Sequence, residues 1–158
     1  MMCRTLSQLI AFSLLLFAAT TVLAVPLAAA ENWMNTGSVI VVATDHGGPL
    51  RERAELVEKL RREGRRVEIR GRKCLSSCTM FLGAGDVCVS PRTIFGFHGP
   101  SNYGRALPAK QFEYWSRRMA GFYPPELRVI YMKKWRYLGT DYKRVTGLEL
   151  IAIGYPPC

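Results

Sequence analysis

Residues 38–70 hold the pattern that most constrains this chain: an apolar run, a turn, an amphipathic segment and a second short alternating run. Ser38-Val39-Ile40-Val41-Val42-Ala43-Thr44 is β-branched and apolar on both faces, as in a buried strand of a parallel sheet. Asp45-His46-Gly47-Gly48-Pro49 breaks the run, and Pro49 suits the first turn of a helix, where no backbone donor is needed. Leu50, Ala54, Val57 and Leu60 then recur at helical spacing with Arg and Glu between them, and Gly64 supplies a stop. Val67 and Ile69 alternate with charged residues and predict a second strand. A strand-helix-strand unit returns its second strand parallel to the first, so the expected fold class is α/β.

Downstream, Gly71-Arg72-Lys73-Cys74-Leu75 reads as a turn into a helix that starts at Ser76 or Ser77, runs to about Leu82 and is closed by Gly83-Ala84-Gly85. Val87-Cys88-Val89 and Ile94-Phe95-Gly96-Phe97 read as short strands, and Ser101 to Ala106 as a polar loop. Two amphipathic helices are expected near Pro108–Ala120 and Pro125–Leu138, with Phe112, Tyr114, Trp115, Tyr131 and Trp135 as core or interface aromatics. Thr146-Gly147-Leu148-Glu149 has capping-box spacing before Leu150–Ile153.

The N-terminus carries one basic residue, Arg4, then a nearly unbroken apolar run over residues 9–23, then Ala28-Ala29-Ala30. A membrane-spanning helix needs about 20 apolar residues. The shorter run with a small-residue exit reads as a cleaved secretory signal over residues 1–30, the alternative being an anchor at residues 9–23. Residues 31–158 then form a single domain whose net charge falls from +10 to +9 with the loss of Arg4. The expected location is periplasmic or secreted. The basic surface suits peripheral contact with an anionic cell envelope. No nucleic-acid motif is present among its Arg and Lys residues, and no cofactor is expected.

Cys74, Cys78, Cys88 and Cys158 remain in the mature chain, and an even number in an oxidising compartment points to disulfides with three possible pairings. The rival is a zinc site from Cys74, Cys78, Cys88 and His98, for which one Cys-x-x-x-Cys pair is weak spacing.

Chemistry concentrates at predicted strand ends, where parallel α/β sheets place their sites. They present His46-Gly47-Gly48, Ser76-Ser77 and His98-Gly99: a hydroxyl opening a helix, an imidazole, and glycine amides able to hold an oxyanion. The bland alternatives are an N-cap for Ser76, a hydrogen-bonded structural histidine for His98 and a turn residue for His46.

Over Val41–Pro100 these motifs resemble the Clp-protease/crotonase fold, and within it exported relatives of the Clp proteolytic subunit. The carriers are Gly47-Gly48 after a strand, Cys74-Leu75-Ser76-Ser77-Cys78 entering a helix, Ala84-Gly85 at its end, and Gly96-Phe97-His98. The resemblance implies Ser76 as nucleophile, with Ser77 as the alternative, and His98 as general base. It implies an oxyanion hole from the amides of Gly47 or Gly48 and of Ser77. Among Glu113, Glu126, Asp141 and Glu149, Asp141 lies near the family's acid, about one residue out of step, while Glu149 belongs to the capping box. Only Glu31–Gly37 precede the first strand, so this would be a minimal or N-terminally shortened version of the fold. Its sheet edge would be open or covered by a homo-oligomer.

The implied function is an exported serine peptidase-like hydrolase acting on a polypeptide or other acyl substrate, without an ATP-dependent unfoldase. The alternative is a non-catalytic, disulfide-held binding or assembly module on the same fold.

Overall fold

The computed structural model describes residues 38–158. The predicted export signal lies outside these residues. Among the described residues no helix is long and apolar enough to cross a membrane.

The elements are β1 (Ile40–Val42), α1 (Leu50–Arg62), β2 (Val67–Ile69), β3 (Lys73–Leu75), a 3-10 helix (Ser76–Gly83), β4 (Val87–Val89), β5 (Ile94–Phe97), α2 (Ala109–Ala120), α3 (Pro125–Lys133), a 3-10 turn (Trp135–Tyr137), β6 (Lys143–Thr146) and α4 (Gly147–Ala152). The protein is therefore mixed α/β. One sheet has the order β1-β2-β4, parallel throughout, with Ile40 opposite Val67 and Val67 opposite Val87. The second has the order β3-β5-β6, with β3 parallel and β6 antiparallel to β5. Asp45 bridges the two: its N–H donates to the Lys73 carbonyl and its carbonyl accepts from the Leu75 N–H, both at 2.9 Å.

The strand-helix-strand unit forms as the periodicity predicts. Helix α1 buries Ala54, Val57 and Leu60 and turns most of its charged residues outward, Arg53 excepted, which lies over the Phe81 ring. Val67, Ile69, Val89, Phe95 and Phe97 are wholly buried. Phe97 packs against Tyr123 and Trp135 with ring centroids 5.3 and 5.2 Å apart. Burying side chains of this size contributes about 2–3 kcal/mol each. The capping box is present, with the Glu149 N–H donating to Thr146 Oγ1 at 3.2 Å and the Thr146 N–H to Glu149 Oε2 at 2.6 Å.

Four expectations are corrected. β1 is not buried on both faces: Val39 and Val41 are 46% and 56% exposed, because β1 is an edge strand whose outer face no described element covers. Residues 73–75 form a strand rather than a turn, and residues 143–146 form another, β6. Residues 76–83 wind as a 3-10 helix, with Ser77 through Leu82 all buried, so the amphipathic period that marks a surface helix is missing there. The helix expected over 125–138 ends at Lys133 and resumes as the 3-10 turn.

Two disulfides form, Cys74–Cys78 and Cys88–Cys158, spanning 4 and 70 residues of sequence. They fit an extracellular or periplasmic protein. The second holds the C-terminus on β4, where the Val89 N–H donates to the Pro156 carbonyl at 2.9 Å. With all four cysteines paired, no thiolate remains for the zinc alternative, and no described cluster of His, Cys, Asp and Glu has metal-binding geometry.

Candidate functional site

The carboxyl ends of β1, β3 and β5 meet on one side of the molecule. Two non-glycine residues among those described are left-handed, Tyr103 at the exposed loop tip (φ +50°) and Ser76, the first residue after β3. The φ of Ser76 is +57°, a left-handed conformation rare for a residue with a side chain. The Cys74–Cys78 bridge closes around this turn. Thr79 Oγ1 donates to the Ser76 carbonyl at 2.7 Å and accepts from the buried Tyr123 hydroxyl at 2.8 Å. With its own hydroxyl proton spent on Ser76, Thr79 can only accept from Tyr123. Burial drives the Tyr123 phenol well above its ordinary value, in keeping with its donor role.

Gly47 lies directly against Ser76. A Cβ on Gly47 would sit 2.7 Å from Ser76 Cβ and 3.2 Å from Ser76 Oγ, and its φ is +101°, so only glycine fits. Asp45 holds this loop: its Oδ1 accepts from the Gly47 N–H at 2.8 Å, and its Oδ2 pairs with Arg53 at 2.7 Å. The Gly47 amide is thus already engaged, which corrects its expected place in an oxyanion hole and leaves Gly48 and Ser77 as the candidate amides. Ser77 is also corrected as an alternative nucleophile. It is fully buried, and its hydroxyl donates to the Gly48 carbonyl at 3.0 Å.

Ser76 lines an open cleft of about 510 Å³, walled by Leu50 at the start of α1, by Tyr103 and Leu107 of the loop before α2, and by Gln111 and Trp115 of α2. That loop is a small hairpin, Asn102 bridging Arg105, with Tyr103 99% exposed at its tip.

His98 follows β5 and is half-buried. In the parallel β3–β5 register Leu75 lies opposite Gly96, so Ser76 and His98 leave the same end of neighbouring strands. His98 Nδ1 lies 2.7 Å from the Gly99 carbonyl oxygen. A carbonyl only accepts, so Nδ1 carries the proton and Nε2 is left as the basic nitrogen. Asp141 is exposed, two residues before β6, whose Lys143 lies opposite Phe97; it therefore sits at the His98 end of the sheet. Among the described residues no hydrogen bond joins Ser76 to His98 or His98 to Asp141, and the contact holding the imidazole is the Gly99 carbonyl. His46 is an exposed residue of the turn after β1, as expected.

The Thr79–Tyr123 pair and the Gly99 carbonyl on His98 are not legible in the sequence. Thr79 stands three residues beyond Ser76, the spacing for a hydroxyl to reach back to a carbonyl in a helical turn, but Tyr123 is brought in only by tertiary packing. No protein-family model matches the chain, and no curated protein matches it.

Proposed function

We propose that this chain is an exported serine peptidase-like hydrolase of the Clp-protease/crotonase type, cleaving a polypeptide or other acyl substrate by acyl transfer. The observation that carries the reading is Ser76: a non-glycine residue in a left-handed strand-to-helix turn, braced from three sides, opening on a cleft. Strain of about 1–3 kcal/mol persists only where surroundings over-determine it, and such positions cluster at functional sites. A nucleophilic serine on a sharp strand-to-helix turn is exposed to substrate in this way.

Ser76 Oγ attacks the acyl carbon, and its proton passes to His98 Nε2. The carbonyl oxygen gains negative charge and is held by the amides of Gly48 and Ser77. His98 returns the proton to the leaving group, and water repeats the cycle on the acyl-enzyme. The Gly99 carbonyl holds the imidazole with Nδ1–H donating and Nε2 turned to the reaction, and Asp141, at the same end of the sheet, is the acid the resemblance assigns to the imidazolium. Hydrogen bonds of such sites are commonly long before substrate arrives, so the open Ser76–His98 pair is compatible with the reading. The cleft is open to solvent and suits a substrate that arrives unfolded, without an ATP-driven partner.

A fluorophosphonate probe tests the proposal. It labels the wild type and spares Ser76→Ala; folded wild-type protein that stays unlabelled overturns it. The second reading, a binding or assembly module, draws on the exposed Val39 and Val41 of the β1 edge, which a second copy could cover. It predicts that Ser76→Ala leaves the cellular phenotype intact.

A further inference from the structure

A second concave site includes His46 and shares no lining residue with the Ser76 cleft. It is a pocket of about 440 Å³ lined by Thr44, His46, Arg72, Lys73, Arg92 and Ile94. Three cations reach it, Arg72 and Lys73 from the β2–β3 turn and the start of β3 and Arg92 from the β4–β5 turn, and no acid lines it. Elsewhere on this basic chain Arg53, Arg66, Arg70, Arg117, Arg118 and Arg136 are paired with carboxylates. Arg72, Lys73 and Arg92 have no such partner among the described residues; Arg62, Lys110 and Lys134 lack one too, but none of them lines this pocket.

The backbone beneath these cations is fixed rather than loose. Gly71 lets the β2–β3 turn close onto the end of β1: a Cβ there would lie 2.2 Å from the Ala43 carbonyl carbon and 2.3 Å from the Thr44 nitrogen. The buried Thr93 hydroxyl donates to the Gly71 carbonyl at 2.6 Å. The Arg72 N–H donates to Thr44 Oγ1 at 3.0 Å, the Ile94 N–H to the Arg72 carbonyl at 3.0 Å, and the Asp45 N–H to the Lys73 carbonyl at 2.9 Å. Thr44 Oγ1 accepts from the chain, so its own proton is free to be donated into the pocket.

Like charges gathered on a rigid floor without a counter-charge repel one another, and an anion in their midst removes that cost. Two guanidinium forks, an ammonium and a hydroxyl donor match the several oxygens of a phosphate group. We infer that the pocket of Thr44, Arg72, Lys73 and Arg92 binds a phosphate-type anion, a site separate from Ser76 and independent of its chemistry. The phosphate can belong to a soluble phosphorylated compound or to a lipid headgroup.

The test titrates inorganic phosphate into the disulfide-intact protein by calorimetry, with chloride holding ionic strength constant. The comparison variants are Arg72→Gln/Lys73→Gln/Arg92→Gln and a charge-matched control, Arg62→Gln/Lys110→Gln/Lys134→Gln. All six side chains are exposed, and far-ultraviolet dichroism verifies that both variants fold. Wild type binds at millimolar phosphate, the pocket variant binds roughly tenfold or more weakly, and the control is little changed. Co-sedimentation with phosphatidylglycerol and phosphatidylcholine vesicles separates the sources. Retention on phosphatidylglycerol that needs the three pocket residues assigns a lipid headgroup; phosphate binding without retention assigns a soluble ligand. No phosphate binding by wild type, or equal weakening in the control, overturns the inference.

Discussion

Ser76 can be tested for strain separately from chemistry by comparing Ser76→Gly with Ser76→Ala. Both remove the hydroxyl, but only glycine adopts a φ of +57° freely. The left-handed region costs a residue with a Cβ about 1–2 kcal/mol. Glycine's greater freedom in the unfolded chain returns about 0.4–1 kcal/mol of that. The Ser76→Gly protein is therefore more stable than Ser76→Ala by about 0.8 kcal/mol at the middle of these ranges, which together span about 0–1.6 kcal/mol, or about 3 °C in Tm for a domain of this size. Urea and thermal denaturation with the disulfides intact measure the difference. If Ser76→Gly is equal to or less stable than Ser76→Ala, the residue is not strained, and the main support for a presented nucleophile is gone.

The remaining predictions concern what holds the turn and the frame. In chain-entropy terms, removing Cys88–Cys158 costs about 4 kcal/mol and Cys74–Cys78 about 2 kcal/mol, because the closed loops span 70 and 4 residues. Urea denaturation of the paired Cys→Ala variants ranks them so, while probe labelling ranks them in reverse, the small loop holding Ser76. Thr79→Val leaves the Ser76 carbonyl and the Tyr123 hydroxyl without their shared partner and costs about 1–3 kcal/mol; it also slows labelling, and Thr79→Ser restores both. Gly47→Ala drives a Cβ into Ser76, so its labelling is lost together with about 1–3 kcal/mol of stability. The Glu149 carboxyl is held below its ordinary value of 4.5, first by the Thr146 backbone N–H and then by its hydroxyl. The unfolded chain therefore binds that proton more readily, and the cap's contribution is full above pH 4.5 and fades as pH falls below it. The Tm gap between wild type and Glu149→Gln narrows over that acid range; a gap that stays constant contradicts the sign.

Local signals were legible where one face meets a core at a regular period. Helix α1, strands β2, β4 and β5 and the Thr146–Glu149 box follow directly from their residues. Strand β3 was hidden because Lys73-Cys74-Leu75 has only one buried residue, and its pairing with β5 is set by distant chain. The 3-10 helix was hidden because burial on all sides erases the period that distinguishes one helix type from another. Strand β1 was read as doubly buried because its composition suits a central strand, while its position at an edge depends on which strands pair.

At the site, the two strand-end motifs around Ser76 and His98 were visible as residue types beside glycines. What the sequence could not convey is backbone conformation and the choice of partners. The positive φ of Ser76, the engagement of the Gly47 amide by Asp45 and the Gly99 carbonyl on His98 all follow from how three strand ends meet. The basic pocket was likewise invisible, since Thr44, Arg72 and Arg92 are far apart in sequence and are joined only by the close approach at Gly71.

The central claim, that Ser76 is an activated nucleophile, is tested most directly by mapping a fluorophosphonate adduct by mass spectrometry on the disulfide-intact protein. The account predicts a single adduct on the peptide carrying Ser76, absent from Ser76→Ala and strongly reduced in His98→Ala, with both variants folded. An adduct on another residue, or none on a folded wild type, contradicts it.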